Sequence, residues 1–198
     1  MHCALTQIKR SDALPPSAIE HDALTSYSDA CWGSQLGNVE HSDTELELFK
    51  MRSMSGYIIL RAGGPIAWSS VRQPRTSRSS CEAEIRATDE CTKEVLSLRY
   101  RGLDIGLFDH KLPTPIFNDN QGCVDWCKTT TTSGMKHMCL RENAVRESIL
   151  EQEISIHHVS GKRNPADIFT KELRNAAHFC LLRDSFMMHR TTFDSLVS

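Results

Sequence analysis

The chain has 198 residues, 39% hydrophobic and 24% charged, which fits one globular domain with tails and excludes a disordered polymer. Its formal net charge of −2 excludes binding driven by bulk positive charge, though a local basic stripe beside an acidic site gives the same sum. No run approaches the ~18 apolar residues of a membrane span. Residues 1–23 carry Lys9, Arg10, Asp12 and Pro15-Pro16 where a secretory signal needs an apolar stretch, so we expect no membrane association and an intracellular location, cytoplasmic or nuclear.

Residues 1–23 show no sustained period and read as a mobile leader or the remnant of a longer polypeptide. Residues 24–32 form the first strand, closed by Gly33, and the acidic run Glu40, Asp43, Glu45 and Glu47 then reads as a solvated loop or short helix. Strands at 56–60 and 65–70 flank Ala62-Gly63-Gly64, a hairpin signal. Ser79 opens a long amphipathic helix with Ile85, Thr88, Cys91, Val95 and Leu98 on one stripe, ending near Gly102 or Gly106. A short strand at 114–118 precedes a helix at 121–128, and a second helical stretch spans roughly 136–152. Ile154, Ile156 and His158 alternate as a fifth strand, the chain turns at 161–164, and Pro165 starts a last helical region expected to continue through Leu182. The order predicts a mixed sheet covered by helices.

Four acids stand out: Asp29 in Ser-Tyr-Ser-Asp-Ala-Cys-Trp, Glu82 in Ser-Ser-Cys-Glu-Ala-Glu, Asp119 in Phe-Asn-Asp-Asn-Gln, and Asp167 in Asn-Pro-Ala-Asp-Ile-Phe-Thr-Lys. Each falls at a strand edge or a helix start, where an α/β fold brings distant carboxylates together. Oxygen-only ligands suit hard cations such as Mg²⁺ or Mn²⁺, and two such ions ~3.5–4 Å apart can activate water and stabilise a leaving oxygen in phosphodiester cleavage. Each acid also has a structural alternative. Asp29 and Asp119 can end strands, Asp119 can cap a helix, Asp167 suits a helix dipole, and Glu82, three residues after Ser79, fits a capping box. The eight cysteines are scattered and read as small buried apolar residues. Cys123, Cys127, His137 and Cys139 offer a zinc alternative, but the first two are spaced i, i+4 rather than as a Cys-x-x-Cys knuckle.

A series running in order over residues 24–173 resembles the ribonuclease H domain of copia-type retrotransposon Pol polyproteins. It comprises Ser28-Asp29-Ala30-Cys31-Trp32, Ser53-Met54-Ser55-Gly56-Tyr57, Trp68-Ser69-Ser70-Val71-Arg72-Gln73-Pro74, Ser79-Ser80-Cys81-Glu82-Ala83-Glu84, Asp119-Asn120-Gln121, Lys136-His137 and Ala166-Asp167-Ile168-Phe169-Thr170-Lys171. The resemblance implies an α/β, ribonuclease H-like fold: a mixed five-stranded sheet, three antiparallel strands plus parallel ones, flanked by helices, over residues 24–175, with 176–198 a C-terminal helix and tail. It implies a metal-dependent endonuclease cutting the RNA strand of RNA–DNA hybrids, with Asp29, Glu82, Asp119 and Asp167 as ligands for Mg²⁺, Mn²⁺ being possible, and with a reverse transcriptase domain of the parent polyprotein as partner. Glu84 is set aside because the first Glu matches the motif. Residues 33–52 look like an insertion, Glu142-Asn143-Ala144 and Glu172 depart from the family pattern, and the chain reads as a fragment or remnant of a polyprotein. The alternative is a decayed domain that still folds and binds nucleic acid; a zinc-binding module is third.

Hybrid recognition needs phosphate-directed charge, contacts to 2′-hydroxyls and flat surfaces for sugars. Arg72, Arg75 and Arg78 form an acid-free cluster before Glu82, and Lys162 and Arg163 follow the fifth strand; all five are candidate phosphate contacts. Trp126 suits either sugar packing or the core. His137, His157 and His158 are candidate proton shuttles, with packing the structural alternative.

Overall fold

The computed structural model describes residues 24–33, 51–107, 112–129 and 140–187. The expected leader, the acidic run, His137, Cys139 and the final tail lie outside the described residues.

Strand β1 (Leu24–Cys31) pairs antiparallel with β2 (Met54–Arg61) in unbroken register from Leu24↔Arg61 to Cys31↔Met54. β2 pairs antiparallel with β3 (Gly64–Arg72) through a turn whose two residues, Ala62 and Gly63, have φ of 50° and 80°. Positive φ at both turn positions matches the right-handed twist of a tight hairpin. β4 (Thr114–Asn118) lies parallel to β1, and β5 (Ile154–His158) parallel to β4, giving the five-stranded order β3-β2-β1-β4-β5. Helices α1 (Ser80–Asp104), α2 (Gln121–Lys128), α3 (Leu140–Leu150) and α4 (Ala176–Asp184) complete the mixed α/β architecture that the resemblance implied.

Alternation along the strands sends neighbours to opposite faces. Ile59 joins Leu24, Ile85, Val95, Ile116, Val145, Ile154 and Ile156 in the larger core, which includes residues of α1, α2 and α3. Ile58 joins Tyr27, Leu60, Phe117 and Ala166 on the other side. Both isoleucines are 0% exposed, so β2 is covered on both faces. Burial of such a side chain contributes about 1.5–3 kcal/mol. Helix α1 forms as its stripe predicts, with Ile85, Thr88, Cys91 and Val95 all buried and Ser79 accepting the Glu82 N–H as N-cap.

One expectation needs correction. The region after Pro165 is not a continuous helix: Pro165–Phe169 is a short 3-10 helix, residues 170–175 are irregular, and α4 begins afresh at Ala176. The restart has a local cause, because the Asn175 side chain accepts the N–H groups of Ala177 at 3.0 Å and His178 at 3.2 Å. The irregular stretch lets the chain lie across the sheet instead of standing away as a rod.

That approach depends on Gly56, which pairs with Asp29 across β1 and β2. A Cβ at this position would lie 2.6 Å from Thr170 Cγ2 and 2.8 Å from Phe169 Cβ. Gly56→Ala should therefore push the 166–170 segment off the sheet and cost about 1–3 kcal/mol, as overpacking does. Thermal denaturation checks this, and an unchanged Tm would show that the segment does not rest on Gly56.

Candidate functional site

Because β1 and β4 run parallel, their carboxyl ends meet at one edge of the sheet, the usual place for a site in an open α/β fold. Asp29 stands near the end of β1, and Asp119 follows β4 directly. The 3-10 helix beyond β5 carries Asp167 to the same place. One carboxylate oxygen from each of Asp29, Asp119 and Asp167 lies within 4.8 Å of the others. Asp29 is 0% exposed and Asp167 7%.

Two buried asparagines set this geometry. Asn118 Nδ2 donates to Ser28 O at 3.3 Å, Ser28 Oγ at 3.2 Å and Glu84 Oε2 at 3.0 Å, while its Oδ1 accepts the Asn120 N–H at 2.8 Å. Asn164 Nδ2 donates to the same Ser28 carbonyl at 2.9 Å, and its Oδ1 accepts the Ala166 N–H at 3.2 Å. The end of β1 is thus tied to β4, to α1 and to the segment bearing Asp167. Gly161 brings the intervening loop against Asp119, since a Cβ there would lie 2.8 Å from Asp119 Oδ2.

Charge at the cluster is offset from within. Lys171 Nζ donates to Asp29 Oδ1 at 3.2 Å and to Asp167 Oδ1 at 2.8 Å, and Thr170 Oγ1 donates to Asp29 Oδ2. Burial pushes the Glu84 carboxyl up to about 9, with Asp29 adding to the shift and the Asn118 amide opposing it. Burial, then Asp29, raises Asp167 to about 6, and the same two causes raise Asp119. Burial works against the Lys171 ammonium, but Asp29 and Asp167 outweigh it and move its pKa above the ordinary lysine value.

Of the four acids singled out in the sequence, the structure gathers Asp29, Asp119 and Asp167 but not Glu82. Glu82 caps α1: its Oε2 accepts the Arg78 N–H at 2.8 Å and its Oε1 pairs with Arg86 at 2.7 Å. Residues two apart on a helix do not share a face. Glu84 also lies outside the 4.8 Å group, but it is bonded to Asn118 and its carboxyl responds to the charges of Asp29 and Asp119. The signal was present in the helix period: Glu84, Thr88, Cys91 and Val95 form one buried stripe, whereas Glu82 falls in line with Arg86, Asp89 and Lys93. Lys171, Thr170, Asn118 and Asn164 complete the surroundings of the cluster, and no local pattern in the sequence marks them for that role.

The basic candidates divide. Arg75, Arg78, Lys162 and Arg163 are exposed, while Arg72 donates to the Arg52 carbonyl at 3.0 Å. The loop that carries Arg75 and Arg78 is anchored by Gln73, 0% exposed, which donates to Ser55 Oγ and the Ala83 carbonyl and accepts from Ser77. Trp126 packs against the larger core with the Arg146 guanidinium 3.8 Å above its ring. His158 is exposed, its Nε2 3.1 Å from the Asp119 carbonyl oxygen, and the His157 ring lies tilted against Phe117. Cys123 and Cys127 are buried in the core, as expected for small apolar residues, and among the described residues no cysteine belongs to the metal-capable group.

The structure is similar to that of LC11 RNase H1, isolated from compost, with a TM-score of 0.51 at 14% identity, covering 75% of this chain and 93% of that one. The fold is therefore that of ribonuclease H. No protein-family model matches the chain. In sequence it is 28% identical over 155 residues to the retrovirus-related Pol polyprotein from transposon TNT 1-94 of Nicotiana tabacum. It is 31% identical over 157 residues to the corresponding polyprotein from transposon RE2 of Arabidopsis thaliana. The alignments cover 76% and 78% of this chain but 12% and 10% of those polyproteins. The chain is a homologue of one segment of the Pol polyproteins of copia-type transposons, and spans about a tenth of the length of these relatives.

The Glu84 environment makes a prediction for stability. Its folded value of about 9 lies above the ~4.3 of an unfolded glutamate. The stabilisation is thus fully present below the unfolded value and is lost as pH rises through the folded one. Without divalent ions, Tm should fall as pH rises from about 5 to 9, and Glu84→Gln should flatten that fall and raise Tm at pH 8 by several degrees, at ~2–4 °C per kcal/mol. Glu82→Ala should leave the slope intact and only lower Tm. Melts in chelator across this range check both, and equal slopes in parent and Glu84→Gln would place Glu84 outside the cluster.

Proposed function

We propose that this chain is a metal-dependent ribonuclease that hydrolyses the RNA strand of RNA–DNA hybrids, acting as a domain of a copia-type Pol polyprotein alongside its reverse transcriptase. The observation that carries the reading is the convergence of Asp29, Asp119 and Asp167 at the carboxyl edge of a ribonuclease H fold. The donor set is all oxygen, which suits Mg²⁺ or Mn²⁺. Asp29, Asp119, Asp167 and Glu84 would hold the ions, Glu84 replacing the sequence-derived choice of Glu82.

When bound, such ions supply Lewis acidity that activates water and stabilises the departing oxygen of a phosphodiester. The residues of the chain provide the frame for it. Asn118 aims Glu84, and Asn164 fixes the segment that carries Asp167. His158, exposed beside Asp119, is placed to pass a proton between site and solvent. Arg75, Arg78, Lys162 and Arg163 would contact phosphates, and the 53%-exposed Trp32 ring, held through its Nε1 to the Ser77 carbonyl at 3.0 Å, offers a flat surface beside the loop of Arg75 and Arg78. A second reading, a folded domain that binds hybrid without cutting it, is favoured by the ammonium of Lys171 within the acidic cluster.

Asp119→Asn should reduce cleavage of a labelled hybrid in Mg²⁺ to background while the fold persists, and Glu84→Gln should do the same. Glu82→Gln should retain most activity. A gel assay decides, and near-full activity in Asp119→Asn would sink the ribonuclease reading.

For hybrid binding, Arg75→Ala with Arg78→Ala should reduce the log–log salt slope by roughly one unit per lost phosphate contact. Arg72→Ala, whose guanidinium holds a main-chain carbonyl, should leave the slope unchanged. Fluorescence anisotropy over a salt series measures both, and an unaltered slope in the double variant would remove these arginines from the interface.

A further inference from the structure

We propose that Lys171 is a built-in counter-cation of the acidic cluster, which a divalent ion must displace, so that this one side chain sets how much metal the site requires. The inference rests on the reading of the aspartates as a metal centre. Two of the three gathered carboxylates, Asp29 and Asp167, give an oxygen to the Lys171 ammonium, at 3.2 and 2.8 Å. The second oxygen of Asp29 accepts from Thr170, so both oxygens of the most buried aspartate are engaged by adjacent residues of one segment. Each carboxylate oxygen keeps a second lone pair, but a divalent ion brought onto the oxygens that Lys171 contacts would stand directly against the ammonium's positive charge. The two cations therefore compete for the cluster.

The lysine is built to leave. Its side chain is 35% exposed against 0% for Asp29, which gives the ammonium a route to solvent. Its main chain stays behind, because the Lys171 N–H donates to the Asp167 carbonyl at 3.0 Å independently of the ammonium. One turn therefore supplies both a ligand, Asp167, and the competitor for it. A site whose ligands are free for only a fraction of the time shows an affinity reduced by that fraction.

Mn²⁺ titration of the full chain, followed by the electron paramagnetic resonance signal of free Mn²⁺, tests this. Lys171→Met should bind on the order of tenfold more tightly than the parent, the gain expected if the ammonium occupies the site about nine-tenths of the time. Lys171→Arg, which keeps the charge, should stay near the parent, and Lys171→Gln provides a second neutral variant should the Met variant fold poorly. A purely structural role for Lys171 predicts weaker binding in both neutral variants. Equal or weaker Mn²⁺ binding in folded Lys171→Met and Lys171→Gln overturns the proposal while leaving the metal reading intact, provided Asp29→Asn loses binding. Absence of Mn²⁺ binding in every form, or undiminished binding in Asp29→Asn, overturns the metal reading and this proposal with it.

Discussion

The concentration of negative charge at the carboxyl edge of β1 and β4 is the constraint around which the described structure is arranged. Two unit charges 4 Å apart repel by about 4 kcal/mol at an effective dielectric constant near 20. Asp29, Asp119 and Asp167 approach within 4.8 Å through one oxygen each, and Glu84, outside that group, still feels the Asp29 charge. A domain of ordinary stability does not carry several such repulsions without offsets. The offsets are of different kinds: a Glu84 carboxyl whose burial favours its neutral form, an ammonium from Lys171, a hydroxyl donor from Thr170 and an amide donor from Asn118. Removing any one leaves the others carrying more of the same charge.

Offsets work only if the carboxylates cannot spread apart, and the Ser28 carbonyl prevents that. It accepts from Asn118 and from Asn164, 90 and 136 residues away in sequence. Both asparagines are 0% exposed, where an unpaired amide would be costly, so their hydrogen bonds also discriminate against other registers. The close approaches at Gly56 and Gly161 complete the enclosure, because at either position a methyl group would occupy the space taken by Thr170 or by Asp119 itself.

What could be read from the amino-acid order follows from what has a period. The alternation of β5, the hairpin around Ala62-Gly63 and the stripe of α1 all announce themselves, and so does the five-stranded architecture once the motif series is recognised. That Asp29, Asp119 and Asp167 come together was legible because each lies near a strand end or a helix start. Glu82 is drawn in by the motif position, and its spacing from Ser79 equally fits a capping box; the structure shows it bonded at the helix start and not gathered with the aspartates. Glu84 was visible only through the helix stripe, where a carboxylate at a core-facing position breaks the pattern. Lys171, Asn118 and Asn164 carry no such mark, since a polar residue's burial depends on partners far away in the chain. The break at 170–175 was hidden for a related reason: Asn175 is a good cap, but nothing local says that the preceding residues must lie flat on the sheet.

The segment after β5 therefore has two dependencies that meet. It is docked by Asn164 on Ser28 and by the empty space at Gly56, and it delivers Asp167, Thr170 and Lys171 together. Undocking would remove a carboxylate from the cluster and, in the same motion, the cation that neutralises it. Whatever binds the cluster only in its assembled form must then stabilise the docked segment, and whatever loosens the segment must weaken that binding, by the same free energy in both directions. This is why the apolar contacts of Ala166 and Phe169, although they carry no charge themselves, belong to the chemistry of the site: they help decide how often the acids are in place to act.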